Sequence, residues 1–107
     1  MKPTITPSQK KIYEEIIEEA TVDCHDEEEQ ISGWECIFDE KITTPCNCTI
    51  GKQQAVLEKI TQDDNSACIV GIVCLNKTKM RILLQDIILE DLEAMNYINA
   101  YKYWIVI

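Results

Sequence analysis

The chain has 107 residues, of which 46% are hydrophobic, and its 19 Asp and Glu against 10 Lys and Arg give a net charge of −9. This length suits one compact domain, and the hydrophobic fraction is typical of a folded chain. The negative charge argues against a general nucleic-acid surface, which needs Lys and Arg to displace counterions from phosphates. We also expect no membrane helix and no secretory signal, because the sequence contains no apolar stretch of the kind that either requires.

The negative charge is concentrated in one segment, residues 14–40, which contains no Lys or Arg. The remaining 80 residues carry seven acidic and ten basic side chains, so they are slightly positive. Repulsion within so acidic a segment lowers stability unless a cation or a basic partner offsets it. A solvated helix surface is the ordinary explanation of such a run, and a cation site is the more specific one. The carboxylates of the segment are Glu14, Glu15, Glu18, Glu19, Asp23, Asp26, Glu27, Glu28, Glu29, Glu35, Asp39 and Glu40.

Two amphipathic helices are predicted in this part of the chain. The Thr-Pro-Ser sequence at 6–8 is typical of a helix start, and residues 8–21 place apolar side chains at four-residue spacing. A second helical stripe precedes Pro45, although Gly33 within it makes an unbroken helix less favourable. The first stripe consists of Ile12, Ile16 and Ala20. The second stripe consists of Cys24, Ile31, Trp34 and Phe38.

After Pro45 the apolar spacing changes to two, which indicates β-strands. A kink is expected near Gln85 and Asp86 within the fourth strand, and residues 90–101 are predicted to be helical or irregular. The five predicted strands are residues 46–50, 54–62, 67–75, 80–89 and 102–107. The turns expected between the second, third and fourth strands are residues 63–66 and 76–79.

These elements predict a single α+β domain over residues 1–107. The acidic helices of residues 1–44 are expected to pack on a small antiparallel, SH3-like β-barrel of about five strands, formed by residues 45–107. We expect closure into a barrel because it removes the exposed edges of the sheet.

The cysteines and the single histidine favour a structural role over catalysis. Without a secretion signal a disulfide framework is not expected, and the C-x-x-C pairs of common zinc sites are absent, so we interpret the thiols as small buried hydrophobic groups. His25 lies in the acidic run, which would keep it protonated rather than leave it a free base. No Gly-rich phosphate loop and no G-x-S-x-G sequence is present, so we expect no enzyme. The cysteines are Cys24, Cys36, Cys46, Cys48, Cys68 and Cys74.

The acidic segment offers the hard oxygen ligands that calcium prefers, usually six to eight in number. In a helix Glu28, Ser32, Glu35 and Asp39 would share one flank of the apolar stripe. No EF-hand loop is present, so the predicted site is of another kind. A second oxygen-rich point is the turn Asp63-Asp64-Asn65, and magnesium is the less expected ion. The candidate ligands from spacing are Asp23, Glu27, Glu28, Glu35, Asp39 and Glu40.

A longer pattern extends over residues 23–107. An acidic run that ends in Glu-Gln at 26–30 precedes Gly33-Trp34 and the pair Asp39-Glu40, and an aromatic Tyr103-Trp104 segment follows the predicted strands. This pattern, which also includes Ile42 and Pro45, resembles the CcbP family of cyanobacterial-type calcium-binding proteins.

The resemblance implies a small cytoplasmic bacterial protein that binds Ca²⁺ through surface carboxylates, as a buffer or signalling modulator without catalysis. It matches Asp26–Glu29 and Asp39-Glu40 to the acidic segments of the family, which adds Asp26 to the candidate ligands. Lys41 departs from the family pattern and would weaken metal affinity, and the stretch 51–66 is shorter than usual.

Two other functions stay open from the sequence. The first is an acidic interaction or inhibitor module that mimics nucleic acid and docks on a basic protein without needing metal. The second is zinc or redox chemistry through the cysteines. A calcium titration separates the calcium-binding hypothesis from both, because calcium that binds the folded state preferentially raises its melting temperature.

Overall fold

The structure, a computed structural model, describes residues 6–63 and 68–106. Part of the predicted turn at 63–66 therefore lies outside the described residues, namely Asp64, Asn65 and Ser66. The helices are α1 (Pro7–Thr21), α2 (Glu27–Lys41) and α3 (Leu92–Val106). The strands are β1 (Cys46–Ile50), β2 (Gln53–Gln62), β3 (Ile69–Leu75), β4 (Thr78–Leu83) and β5 (Ile87–Leu89).

The five strands form one antiparallel sheet in the order β4-β3-β2-β1-β5. This confirms the predicted α+β class and the five antiparallel strands. The sheet is open, however, with β4 and β5 as its two edges among the described residues, so the expected closed barrel describes it only loosely. The predicted fourth strand is divided by a 3₁₀ turn at Leu84–Asp86, where the kink was expected, and its second half supplies β5.

The chain end is the main error of the sequence analysis. Residues 102–107 were predicted as a strand, but residues up to Val106 continue helix α3. The reason is tertiary packing: Tyr101 and Trp104, one turn apart, lie against Trp34 of α2, with ring centroids 5.5 and 5.7 Å from it. A continuous apolar run does not distinguish a helix from a strand, so burial on one helical face decides the conformation.

Helix α1 begins as predicted and packs on a slightly different face. The Thr6 hydroxyl accepts a hydrogen bond from the backbone N–H of Gln9, and the Gln9 side chain accepts one from the N–H of Thr6. Such a reciprocal pair satisfies donors that a helix start leaves unpaired. The buried residues of the helix are Tyr13, Ile16 and Ala20, whereas Ile12 is 42% exposed.

Helix α2 is the central helix of the fold, since it contacts the sheet through β2 and β3 and also contacts both other helices. It runs unbroken through Gly33, and Cys24 lies in the turn before it rather than on its stripe. Burial of its apolar face therefore fixes the orientation of its exposed carboxylates relative to the sheet. Its buried residues are Ile31, Trp34, Ile37 and Phe38.

Candidate functional site

The turn between α1 and α2 presents the first group of predicted ligands. Asp23 adopts a left-handed backbone conformation with φ of 58°. Asp26 is the N-cap of α2, and its Oδ1 accepts a hydrogen bond of 2.9 Å from the backbone N–H of Glu29. The side chain of Glu29 in turn accepts the N–H of His25 at 2.9 Å. These local bonds hold several carboxylates at the amino end of one helix.

Part of this acidity has a purely structural explanation. Glu27, Glu28 and Glu29 occupy the first turn of α2. The unpaired N–H groups at a helix start carry partial positive charge, so each carboxylate there stabilises the helix by about 0.3–1 kcal/mol at low salt. The amino end of α2 would therefore favour acidic residues without any metal.

The carboxylates of Asp39 and Glu40 have no such explanation. Both are exposed in the last turn of α2, where the helix end carries partial negative charge that disfavours them. Lys41 follows them and offsets this effect in part. At about 1.5 Å per residue, Glu27 and Glu40 are separated by about 20 Å along the helix axis. The two ends of α2 therefore cannot share one ion.

Glu35 lies between the two ends and faces the sheet. Its carboxylate accepts hydrogen bonds from the backbone N–H of Gln62 at 2.7 Å and from the Thr61 hydroxyl at 3.2 Å. The Gln62 side chain adds a bond to Glu35 at 3.3 Å and one to the Ser32 hydroxyl at 3.1 Å. This half-buried carboxylate connects α2 to β2, so two members of the predicted flank are occupied by contacts with the sheet.

The structure does not bring the seven predicted ligands together. Within residues 6–63 and 68–106, no three His, Cys, Asp or Glu side chains are grouped closely enough to hold a metal ion. In the same residues, Glu14 is the only carboxylate of the acidic segment with an ion-pair partner, Lys10 at 3.9 Å. The other carboxylates of the segment have no ion-pair partner within the described part of the chain. Six predicted ligands are exposed at the two ends of α2, namely Asp23, Asp26, Glu27, Glu28, Asp39 and Glu40.

A cleft of about 350 Å³ beside the carboxyl end of α2 contains two acidic residues that the sequence analysis did not select. Glu90 and Asp91 line this cleft together with Lys41 and Asn47. Asp91 Oδ1 accepts the backbone N–H groups of Glu93 at 2.9 Å and Ala94 at 3.4 Å, which begins helix α3. Asp is a preferred N-cap residue and Glu is favoured in the first turn of a helix, so Asp91 was identifiable as a cap but not as part of a cleft.

The pKa values of two thiols reflect the negative charge of these two regions. Burial raises the pKa of the Cys24 thiol, and the neighbouring carboxylates of Glu29, Asp23 and Asp26 raise it further. Burial likewise raises the pKa of Cys46 at the cleft, with a smaller effect from Asp91. In both places negative charge opposes the formation of another anion, and the same field attracts cations.

No helix among the described residues combines the length and the apolar character needed to cross a membrane. In the part of the chain that the structure describes, three helices on an open antiparallel sheet, with exposed carboxylates at both ends of the central helix, define a small acidic α+β protein. The chain belongs to the CcbP calcium-binding family, whose model matches residues 14–105. This confirms the resemblance found in the sequence.

Two solved structures share the fold. The crystal structure of CcbP from Anabaena is 20% identical, with a TM-score of 0.76 over 98% of this chain and 95% of that one. A calcium-binding protein in its calcium-binding form is also 20% identical, with a TM-score of 0.76 over 95% of this chain and 96% of that one. A comparison with the curated proteins found no match.

Proposed function

We propose that this chain binds Ca²⁺ through exposed carboxylates at the two ends of α2, without an EF-hand loop. The observation that carries the proposal is the set of exposed carboxylates in the acidic segment that have no ion-pair partner among the described residues, in a chain that belongs to a calcium-binding family. Calcium takes carboxylate and carbonyl oxygens in flexible geometry, so it tolerates ligands from a turn and a helix end.

The two ends differ in their expected affinity. The amino-end group consists of Asp23, Asp26, Glu27 and Glu28. The carboxy-end group consists of Asp39 and Glu40, with Lys41 next to it. We expect the amino-end group to bind calcium more tightly, because it has more carboxylates and no Lys or Arg beside it in the sequence. Water would complete the coordination at either end, since neither group supplies six side-chain ligands.

Glu35 is proposed as an anchor rather than as a ligand. Its oxygens already accept bonds from Thr61 and Gln62, and a calcium ion would have to compete with them. Its role in binding would then be to hold the exposed residues of α2 in place relative to the sheet.

The proposed role is a calcium buffer or a modulator of calcium signals. Side chains that are already exposed bind an ion without a change of fold, which suits a buffer, whereas a sensor needs two states of different affinity. An acidic docking module remains the alternative if the chain binds no calcium.

The test is isothermal titration of the chelator-treated chain with calcium and then with magnesium. Glu27→Gln/Glu28→Gln removes two charges from the amino-end group, and Asp39→Asn/Glu40→Gln removes two from the carboxy-end group. Glu15→Gln/Glu18→Gln is the matched control, because it removes two exposed charges from α1 outside both groups. We expect the first variant to lose most of the affinity, the second to lose less and the control to stay near the original value.

Three results would contradict this proposal. Equal loss in all three variants would show that calcium responds to overall charge rather than to these groups. No heat and no rise in melting temperature at millimolar calcium would exclude calcium binding in this range. A magnesium response equal to that of calcium would contradict the expected selectivity for the larger ion.

A further inference from the structure

Two thiols line one groove between α1 and α2. This groove of about 230 Å³ is lined by Cys24 and Cys36, and also by Ala20 and Gly33. Cys36 is the only exposed cysteine of the six, all of which lie in the described part of the chain. Cys24 is half-buried in the turn before α2.

Cys24 lies beside Gly33, which precedes Cys36 by about one turn of α2. The Sγ of Cys24 is 3.4 Å from the place that a β-carbon of residue 33 would occupy. Cys36 lies one turn further along the same helix, and β-carbons three residues apart on a helix are about 5–6 Å apart. The Cys24 thiol makes only weak hydrogen bonds, to the carbonyl oxygens of Glu29 at 3.3 Å and of Val22 at 3.5 Å. Both thiols therefore line one groove, and a bond between them would require movement of the turn that holds Cys24.

We propose that Cys24 and Cys36 form an oxidative modification site, which closes to an intramolecular disulfide when a disulfide oxidant such as oxidised glutathione is present. The thiolate of Cys36, which is exposed, attacks one sulfur of the oxidant and releases one glutathione thiolate. The Cys24 thiol then loses its proton to solvent, attacks the Cys36 sulfur of the mixed disulfide and releases the second glutathione thiolate. This second step is expected to be slow, because burial and the neighbouring carboxylates disfavour the Cys24 thiolate. The two protein thiols lose two protons and two electrons, and the oxidant is reduced to two molecules of glutathione.

The remaining cysteines lack this combination of access and proximity. Cys48 is 2% exposed in the core, and Cys46 is half-buried on the same strand. Reversible disulfides in reducing compartments are usually redox-responsive rather than structural, which fits a pair at a helix junction. The bond would join the turn at residues 22–26 to α2 and so restrain the start of that helix.

The test treats the full chain with oxidised glutathione in the presence of a chelator, so that its outcome is independent of calcium. We expect four of the six thiols to remain available for alkylation after denaturation, because two are used by the bond. Peptide mapping by mass spectrometry is expected to join residues 24 and 36, and a dithiol reductant is expected to restore all six thiols.

Three variants make the test specific. Cys24→Ser is expected to trap a glutathione adduct on Cys36, and Cys36→Ser is expected to form no internal bond. Cys74→Ser changes a half-buried cysteine on β3 and is expected to close the bond as the original chain does. Circular dichroism verifies that each variant is folded. Six free thiols after treatment, a stable glutathione adduct on Cys36 of the original chain, or a bond between other cysteines would overturn the proposal.

Discussion

Gly33 of α2 lies directly against the backbone carbonyl group of Ala20 in α1, and a β-carbon at position 33 would overlap the carbonyl oxygen. Any residue other than glycine would force the two helices apart at this point. A glycine in the middle of a helix is otherwise unfavourable by about 1 kcal/mol relative to alanine, because it loses more backbone entropy on folding. The close approach of the helices explains why α2 continues through a residue that usually weakens a helix.

Gly33→Ala is expected to destabilise the protein although alanine is the better helix former. The gain in helix propensity is about 1 kcal/mol, whereas overlap with a backbone atom costs about 1–3 kcal/mol or more, since backbone cannot rotate away. Because the overlap is with backbone, we expect a cost near the upper end of this range and a fall of about 2 kcal/mol in the free energy of unfolding in urea. Cys36→Ala, at an exposed position of the same helix, is expected to change it by less than about 0.5 kcal/mol. Unchanged or increased stability of Gly33→Ala would contradict the close contact.

Glu35→Ala is expected to lower the free energy of unfolding by about 2 kcal/mol. Each hydrogen bond to a charged group is worth about 1.5–3 kcal/mol, but at this half-buried site water replaces part of the lost bonds. Glu35→Gln keeps an acceptor oxygen and is expected to cost about 1 kcal/mol. If Glu35 is an anchor, calcium will raise the melting temperature of Glu35→Gln as much as that of the original chain. A variant of normal stability with no calcium response would instead make Glu35 a ligand.

The sequence identifies those elements whose signals are local. The Thr6 cap and the two-residue spacing at 46–50 depend on neighbouring side chains, and the structure confirms a helix and a strand there. The end of α3 depends on packing against Trp34, which lies about 70 residues away in the chain. A uniformly apolar segment carries no local information about that contact, so its helical conformation was not predictable.

The candidate site likewise has features that local sequence predicts and features that depend on distant contacts. Its chemistry, a dense run of carboxylates, is readable from composition, and the exposure of most of them follows from the apolar stripe of α2. The occupation of Glu35 by Thr61 and Gln62 is a contact between segments 26 and 27 residues apart, which no local pattern indicates. The separation of Glu27 from Glu40 follows from helix length once the helix is known to be unbroken at Gly33.

Lys41→Gln is expected to raise the calcium affinity of the carboxy-end group by about two- to fivefold. The repulsion between exposed charges a few ångströms apart is about 1 kcal/mol in water and is reduced further by salt. Lys52→Gln, in the turn between β1 and β2, removes the same charge from an exposed position outside both groups and serves as the control. Calorimetry at low and high salt measures both. Equal effects of the two substitutions would mean that only net charge matters.

Tyr101→Phe is expected to change the dependence of stability on alkaline pH. The Tyr101 hydroxyl is buried and accepts the backbone N–H of Ile69 at 3.2 Å. Burial raises the pKa of this phenol above its ordinary value of 10.0, and the bond from Ile69 offsets the rise only in part. The folded chain therefore holds this proton more tightly than the unfolded chain does. The resulting stability is complete below about pH 10 and is lost as the pH rises through the folded pKa.

The melting temperature of the original chain is thus expected to fall above about pH 10. Tyr101→Phe is expected to be less stable at pH 7 by about 1 kcal/mol, because a buried N–H loses its acceptor, and to lose less stability between pH 9 and pH 11.5. Burial also raises the pKa of Cys46 and Cys48, but these thiols are present in both proteins, so their effect cancels in the comparison. The measurement is the melting temperature of both proteins at several pH values. If the two melting temperatures fall by the same amount between pH 9 and pH 11.5, the phenol proton makes no contribution to stability.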